Sequence, residues 1–274
     1  MSRLRRLAWP ATALAVSVAF LLPLAVAIAG SFRGEGLPPP RGIEILPATA
    51  SLDGYRSAFS LVPLARALAN SLAIAAIAVP LAVGIAALAG YAIARAGRRA
   101  RGLGLGVQLG LLLVPVSALW LGRFAIFSGL GVTDTWIPLI APALMGGSPL
   151  FVLLFWLAFR RIPSDIFDAA LLEGASHARV WRRVAMPMVR STTAAVGLLA
   201  FSLSWGNFID PLLYLNSEHL YTAPLMLRSL EQLGPTNWPV VLAGATLVTL
   251  PALAALSLAL RAIAPRRGGS WIGS

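Results

Sequence analysis

Six runs of mostly apolar residues recur along the chain, at about residues 9–29, 67–93, 103–122, 137–159, 189–210 and 238–260. A helix that crosses the hydrocarbon of a bilayer takes about 20 such residues, and each run is long enough. None alternates polar and apolar positions over about ten residues, as barrel strands do. The runs therefore predict an all-α membrane protein with six transmembrane helices. The first run shares features with signal peptides, because "RLRR" precedes it and it contains Ala27-Ile28-Ala29. Its apolar stretch, however, exceeds the roughly 7–15 residues of a signal core. It predicts a retained span, and residues 1–274 are expected to form a single transmembrane domain.

Composition agrees with a lipid-facing surface. The chain of 274 residues is 58% hydrophobic and only 12% charged, where a soluble domain carries about a quarter charged residues. Cysteine is absent, which excludes a disulfide frame and thiolate chemistry. The two imidazoles, His177 and His219, lie in different segments, so no metal site is expected. All 22 basic residues are Arg. Without a Lys the chain has neither the phosphate-reaching residue of a P-loop nor a Schiff-base amine.

The net charge of +12 does not point to nucleic acid, because the Arg residues lie between apolar runs rather than on one face. With six spans, both termini fall on one side. If that side is the cytoplasm, 16 Arg lie inside and six outside, the six being Arg33, Arg41, Arg56, Arg66, Arg123 and Arg228. This bias places the N- and C-termini, and the 160–188 loop, in the cytoplasm.

The outer segments are small. Residues 31–63 begin with the Pro- and Gly-rich "GEGLPPPRG", after which Leu52, Tyr55, Phe59 and Val62 recur at helical spacing. That spacing predicts a short amphipathic helix at the outer interface. The 211–237 loop also faces out. No internal repeat supports an inverted-repeat carrier.

No Asp, Glu, Lys or His lies deep in a run; Asp210 is at the outer end of the fifth, and Arg190 at its inner start. That disfavours a proton-driven carrier, which places titratable groups at membrane depth. Sodium coupling through backbone carbonyls stays open. No catalytic constellation for a membrane enzyme is visible either. Milder polar content occurs in run two (Asn70, Ser71, Pro80, Gly84, Gly90), in run four (Pro138, Pro142 and "GGSP", Gly146–Pro149) and in run five (Ser202, Ser204). Helix packing explains most such residues taken singly. Trp205, Asn207 and Asp210 form the best candidate cluster for a solute pathway, since aromatic stacking with hydrogen bonding suits a sugar.

The stretch "DAALLEGASHARVWRRVAMP", Asp168 to Pro187, interrupts this pattern. Pro163-Ser164 provides a helix start with Ser164 as N-cap, and Asp165 and Asp168 suit the first turns. Ile166, Phe167, Ala170 and Leu171 make one apolar face. Gly174 is expected to end the helix in the left-handed conformation. Ser176 can cap a second helix, with Val180, Trp181 and Val184 on an apolar stripe and Arg179, Arg182 and Arg183 on a basic one. Pro187 kinks or restarts the chain. Two helices of about ten residues bury little by themselves. Either they dock on a partner, or they lie at the lipid headgroups.

The spacing of this stretch resembles the "EAA" loop in membrane subunits of ABC importers: Glu-Ala-Ala, two residues, Asp-Gly, nine residues, then Ile-x-Leu-Pro. Here Asp168-Ala169-Ala170, Leu171-Leu172, Glu173-Gly174, nine residues from Ala175 to Arg183, and Val184-Ala185-Met186-Pro187 keep that spacing, with the two acids exchanged. "SLDGYRSAF", "LANSLAIA", "RRIPSDIFDAA" and "WGNFIDPLL" are similar to MalG-type permease subunits of carbohydrate ABC importers; in the last, Gly206 is inserted between Trp205 and Asn207.

The resemblance implies a type I importer permease fold and a location in the bacterial cytoplasmic membrane. Asp168, Ala169, Ala170, Glu173, Gly174 and Pro187 would couple the chain to a separate cytoplasmic ATPase. The implied partners are a second permease subunit, two ATPase subunits and an extracytoplasmic solute-binding protein. ATP and Mg would be bound by the ATPase, and this chain would hold no cofactor and catalyse no reaction. ATP-driven alternating access would then move a sugar or sugar-like solute. A self-sufficient secondary carrier or channel for a small polar solute is the rival.

Overall fold

The computed structural model describes residues 2–34, 36, 50–232 and 237–263, with side chains from residue 12 onward. Most of "GEGLPPPRG" lies outside the described residues, as do Arg41, Arg266 and Arg267. Among the described residues every regular element is helical: α1 (Ser2–Ser31), α2 (Asp53–Leu61), α3 (Leu64–Arg95), α4 (Arg98–Leu113), α5 (Val116–Gly129), α6 (Ile137–Ile140), α7 (Pro149–Phe159), α8 (Ser164–Leu172), α9 (His177–Val180), α10 (Met186–Met188), α11 (Arg190–Trp205), α12 (Ile209–Tyr214), α13 (Ala223–Glu231) and α14 (Trp238–Ile263). Short 3-10 turns occupy Ala141–Met145 and Glu218–Leu220, and a π-helical turn occupies Trp181–Ala185.

Four of the expected spans are long apolar stretches: Thr12–Ser31, Leu64–Arg95, Ile137–Phe159 and Trp238–Ile263. The other two are bent. The run at 103–122 is not one straight helix, because α4 and α5 meet at 93°. Pro115 has no N–H for the helical ladder, and its ring drives Val114 out of the helical region to φ −80, ψ 116. The fifth run follows an 84° bend between His177–Met188 and Arg190–Trp205. Its helix stops at Trp205, and the chain restarts in α12 at Ile209. Within Ile137–Phe159, Gly146 and Gly147 take φ of +83° and +70° and separate the 3-10 turn from α7. Ser148 recaps the chain by accepting the Leu150 N–H.

The described residues group into two compact units. The first comes from Met1–Leu68 and Ala223–Pro251. Here α2 packs by its small residues and by only part of the expected stripe of Leu52, Tyr55, Phe59 and Val62, Tyr55 being half-buried. Gly54, Ala58 and Val62 are buried, whereas Leu52 and Phe59 are exposed. A Cβ on Gly54 would stand 3.2 Å from the Pro239 carbonyl oxygen, a contact tight enough that the backbone would have to give by a few tenths of an ångström to admit one. Ser31 and Tyr55 share a 2.7 Å hydroxyl hydrogen bond across the same contact.

The second unit, Ala69–Thr222 with Ala252–Ser274, holds the main apolar cluster. Phe151, Val152, Phe155 and Phe159 of α7 pack with Ala86 and Ala87 of α3, Phe167 of α8, and Val180, Ala185, Val196 and Ala200 beyond. α3 approaches α7 at Gly90, where a Cβ would fall 2.6 Å from Phe155 Cβ and 2.8 Å from the Trp156 backbone nitrogen. No side chain is accommodated there without separating the helices.

Candidate functional site

Two places in the second unit collect the residues singled out from the sequence. The first is the 160–188 loop. Its α8 begins at Ser164, which is the first helical residue rather than the cap: its hydroxyl donates to the Asp165 carboxylate at 3.2 Å. Pro163 occupies the cap position with no side-chain cap bond. After Leu172 the helix closes as expected, with Gly174 at φ +83°. The Gly174 N–H donates to Leu171 O at 3.0 Å and the Ala175 N–H to Ala170 O at 3.1 Å, which is the paired bonding of a Schellman turn. Ser176 Oγ accepts the Arg179 N–H and caps α9. The π-helical turn over Trp181–Ala185 ends next to Pro187, which cannot donate to a preceding carbonyl.

The loop does not wait for a partner to bury its apolar side. Phe167 is 2% exposed, T-shaped to Tyr91 at 5.7 Å, and Tyr91 is T-shaped to Phe159 at 5.4 Å. Ala170, Leu171, Ala175, Trp181 and Val184 pack on the same cluster. Ile166, expected on that face, is instead exposed. Arg95, at the end of α3, lies over the Phe167 ring at 4.9 Å and donates to Asp168 Oδ1 at 3.0 Å. This leaves an outward strip. Asp168, Ala169, Glu173, Gly174 and Pro187 are exposed, Ala170 is half-buried, and Leu172 is 89% exposed beside them. Neither Arg95 nor Leu172 belongs to the candidate site residues that the sequence points to. Nothing in the spacing of Arg95 marks it, since its partner is 73 residues away.

The second place is a cavity of about 500 Å³ lined by residues of α3, α5, α7, α11 and α12. Asn207 and Asp210 both line it. The Asn207 amide donates to Asp210 Oδ2 at 3.0 Å, and its carbonyl accepts the Asp210 N–H at 3.2 Å. Trp205 is not in the lining: it is buried and stacked on Phe201 at 5.4 Å. Trp120 lines the cavity instead. The sequence pattern also passed over Arg123, whose guanidinium reaches Asp210 Oδ2 at 3.4 Å and Pro138 O at 3.3 Å. Thr222 lines the same cavity, and its buried hydroxyl has no hydrogen-bond partner.

Away from both places, Asp134 ties the turn before α6 to the chain after α12. Its carboxylate accepts from the Ser217 hydroxyl and from the N–H groups of Ser217 and Asn216. Those bonds, led by the Ser217 hydroxyl, hold its pKa below the ordinary aspartate value. Among the described residues no group of three or more His, Asp or Glu could hold a metal ion.

Comparison with known proteins adds a second line of observation. The family model described as "Binding-protein-dependent transport system inner membrane component" matches residues 54–269. The chain is 30% identical over 205 residues to the lactose transport system permease protein LacG of Rhizobium radiobacter, covering 75% of this chain and 74% of that one. It is 29% identical over 210 residues to the trehalose transport system permease protein SugB of Mycobacterium tuberculosis, covering 76% and 77%. It also resembles a chain in the crystal structure of a bacterial ABC transporter involved in the import of the acidic polysaccharide alginate. There the TM-score is 0.80 at 16% identity, over 96% of this chain and 97% of that chain.

Proposed function

The chain belongs to the family of binding-protein-dependent transport system inner membrane components, and on that premise we propose how it works as a carbohydrate ABC importer permease. It spans the inner membrane six times as one domain, with both termini and the 160–188 loop in the cytoplasm. The outward strip of that loop, Asp168, Ala169, Ala170, Glu173, Gly174 and Pro187, docks on a separate ATPase subunit. A second permease subunit, two ATPase subunits and an extracytoplasmic binding protein complete the assembly. ATP and Mg belong to the ATPase, and this chain does no chemistry.

The carrying observation is that the loop's apolar side is already satisfied inside the chain while its acids and Leu172 face out. A segment so arranged is rigidly backed by α3 and α7, and transmits force in both directions. ATP-driven approach of the two ATPases then shifts the paired permeases between inward- and outward-facing states, which is alternating access by population shift. The solute is a sugar or sugar-like compound, as the names of the relatives suggest. It passes the cavity where Asn207 and Asp210 offer hydrogen bonds.

The rival, a carrier that works alone, is tested by reconstituting the chain in vesicles. Uptake of the solute is expected only with the second permease subunit, the binding protein, the ATPase and ATP present; uptake by the chain alone overturns the proposal. Glu173→Arg is expected to weaken co-purification of the ATPase, and an undiminished complex removes that residue from the interface.

A further inference from the structure

A second cavity, of about 710 Å³, lies at the Arg-rich end of α3, α4 and α7, next to α8. Arg95, Arg101 and Arg160 line it, and Asp168 is the one acidic residue in the lining. Three cations against one anion leave the lining with an excess of positive charge. Asp168 bonds Arg95. Arg101 donates from one nitrogen to the Ala96 carbonyl at 2.9 Å, and Arg160 lies over the Trp156 ring at 4.9 Å. A guanidinium has five N–H donors, far more than these contacts use. Trp156 also lines the cavity, and its indole N–H is buried with no hydrogen-bond partner. A buried donor without a partner calls for an acceptor.

We propose that this cavity binds a phosphate-type oxyanion, namely the headgroup of an anionic phospholipid. Forked guanidinium groups match phosphate oxygens two at a time. Basic pockets between transmembrane helices on the cytoplasmic side suit acidic headgroups. The helices that carry the site also carry exposed apolar side chains, Leu103 and Val107 on α4 and Leu157 on α7, which suit acyl chains. Because Arg95 belongs both to this lining and to the Asp168 pair, a bound headgroup competes with Asp168 for the same guanidinium. Occupancy is thereby linked to the position of α8.

The test uses the full chain purified in neutral detergent and native mass spectrometry with dioleoyl phosphatidylglycerol, dioleoyl phosphatidylcholine or sodium phosphate. The wild type is expected to retain phosphatidylglycerol at least about tenfold better than phosphatidylcholine. R101Q/R160Q is expected to lose that preference. R98Q/R99Q removes the same charge from the same end of the chain at positions outside the lining, and is expected to keep it. Displacement of phosphatidylglycerol by millimolar sodium phosphate alone assigns the site to a soluble phosphate, and overturns the lipid as its source. A preference that survives in R101Q/R160Q, or falls equally in R98Q/R99Q, overturns the site. So does a lack of retention of any phosphate, which leaves an acidic protein side chain as the candidate occupant.

Discussion

The second unit contains two Arg–Asp pairs with the same chemistry and different surroundings. Arg95 and Asp168 meet at 3.0 Å with side chains 34% and 56% exposed. Arg123 and Asp210 meet at 3.4 Å with side chains 21% and 13% exposed. The shorter pair is the weaker contributor to stability, because water screens it and exposed pairs are worth about 0–1 kcal/mol. The longer pair matters more because its partners are less exposed, so water compensates less once one of them is gone. Distance alone therefore misranks them. The exposed pair joins the end of α3 to α8, and the sheltered pair joins α5 to α12 at the wall of the cavity.

Removing the sheltered carboxylate should give the largest loss. Asp210→Ala strands the Arg123 guanidinium among Tyr214, Pro138 and the cavity wall, and also removes the acceptor of the Asn207 amide. Breaking a buried pair costs about 3–5 kcal/mol, and with this residual exposure the lower end is expected. Thermal unfolding in detergent reads it. The double variant R123M/D210L should recover most of the loss, since no charge is left unpaired. If the single and double variants melt together, the pair is not the cause.

Gly174 comes next, and bears on the exposed end. A β-branched side chain at φ +83° costs roughly 1–2 kcal/mol locally, and no atom stands within 4 Å of the added Cβ, so the penalty is conformational rather than steric. Gly174→Val should therefore leave the chain folded in the membrane and reduce ATP-driven uptake by at least about tenfold through loss of the Schellman turn. Gly174→Asn, which tolerates this conformation, should retain most uptake. Equal activity in Val and Asn variants dissociates the turn from transport.

Arg95→Gln should be milder still. It removes an exposed pair and a contact on the Phe167 face, with a melting change below about 1 kcal/mol. Its effect is expected in the ATPase complex, where α8 is no longer fixed at Asp168. Co-purification that falls while thermal stability holds supports a positioning role; a parallel fall in both makes the pair merely structural.

Much of this end of the molecule was legible in the residues themselves. Gly174 and Ser176 announced their backbone roles because caps and left-handed turns are local properties. Ser164 misled, because a Ser after Pro reads as a cap while Pro163 itself takes that position. The 103–122 run misled differently: hydropathy counts apolar length and is blind to the bend that Pro115 imposes. Arg95 and Arg123 were invisible because their partners are 73 and 87 residues distant, and pairing across such separations is set only by helix packing. The small-residue face of α2 was missed because a stripe of large apolar side chains and a close helix contact are different requirements.

Asp134 supplies a third carboxylate, held by hydrogen bonds without an Arg, and the smallest effect. Its folded pKa lies below the ordinary value of 3.8. A group depressed in the folded state contributes stability above its unfolded pKa, and that contribution is lost as pH falls through the folded value. The melting temperature of Ser217→Ala, which removes the leading bond, should therefore trail the wild type by a constant small margin at pH 5–8. The margin should narrow below pH 3.8, where the unfolded carboxyl is already protonated and the folded one begins to be. A margin independent of pH throughout would mean that the Ser217 hydroxyl stabilises the turn by geometry and not by favouring the ionised carboxylate.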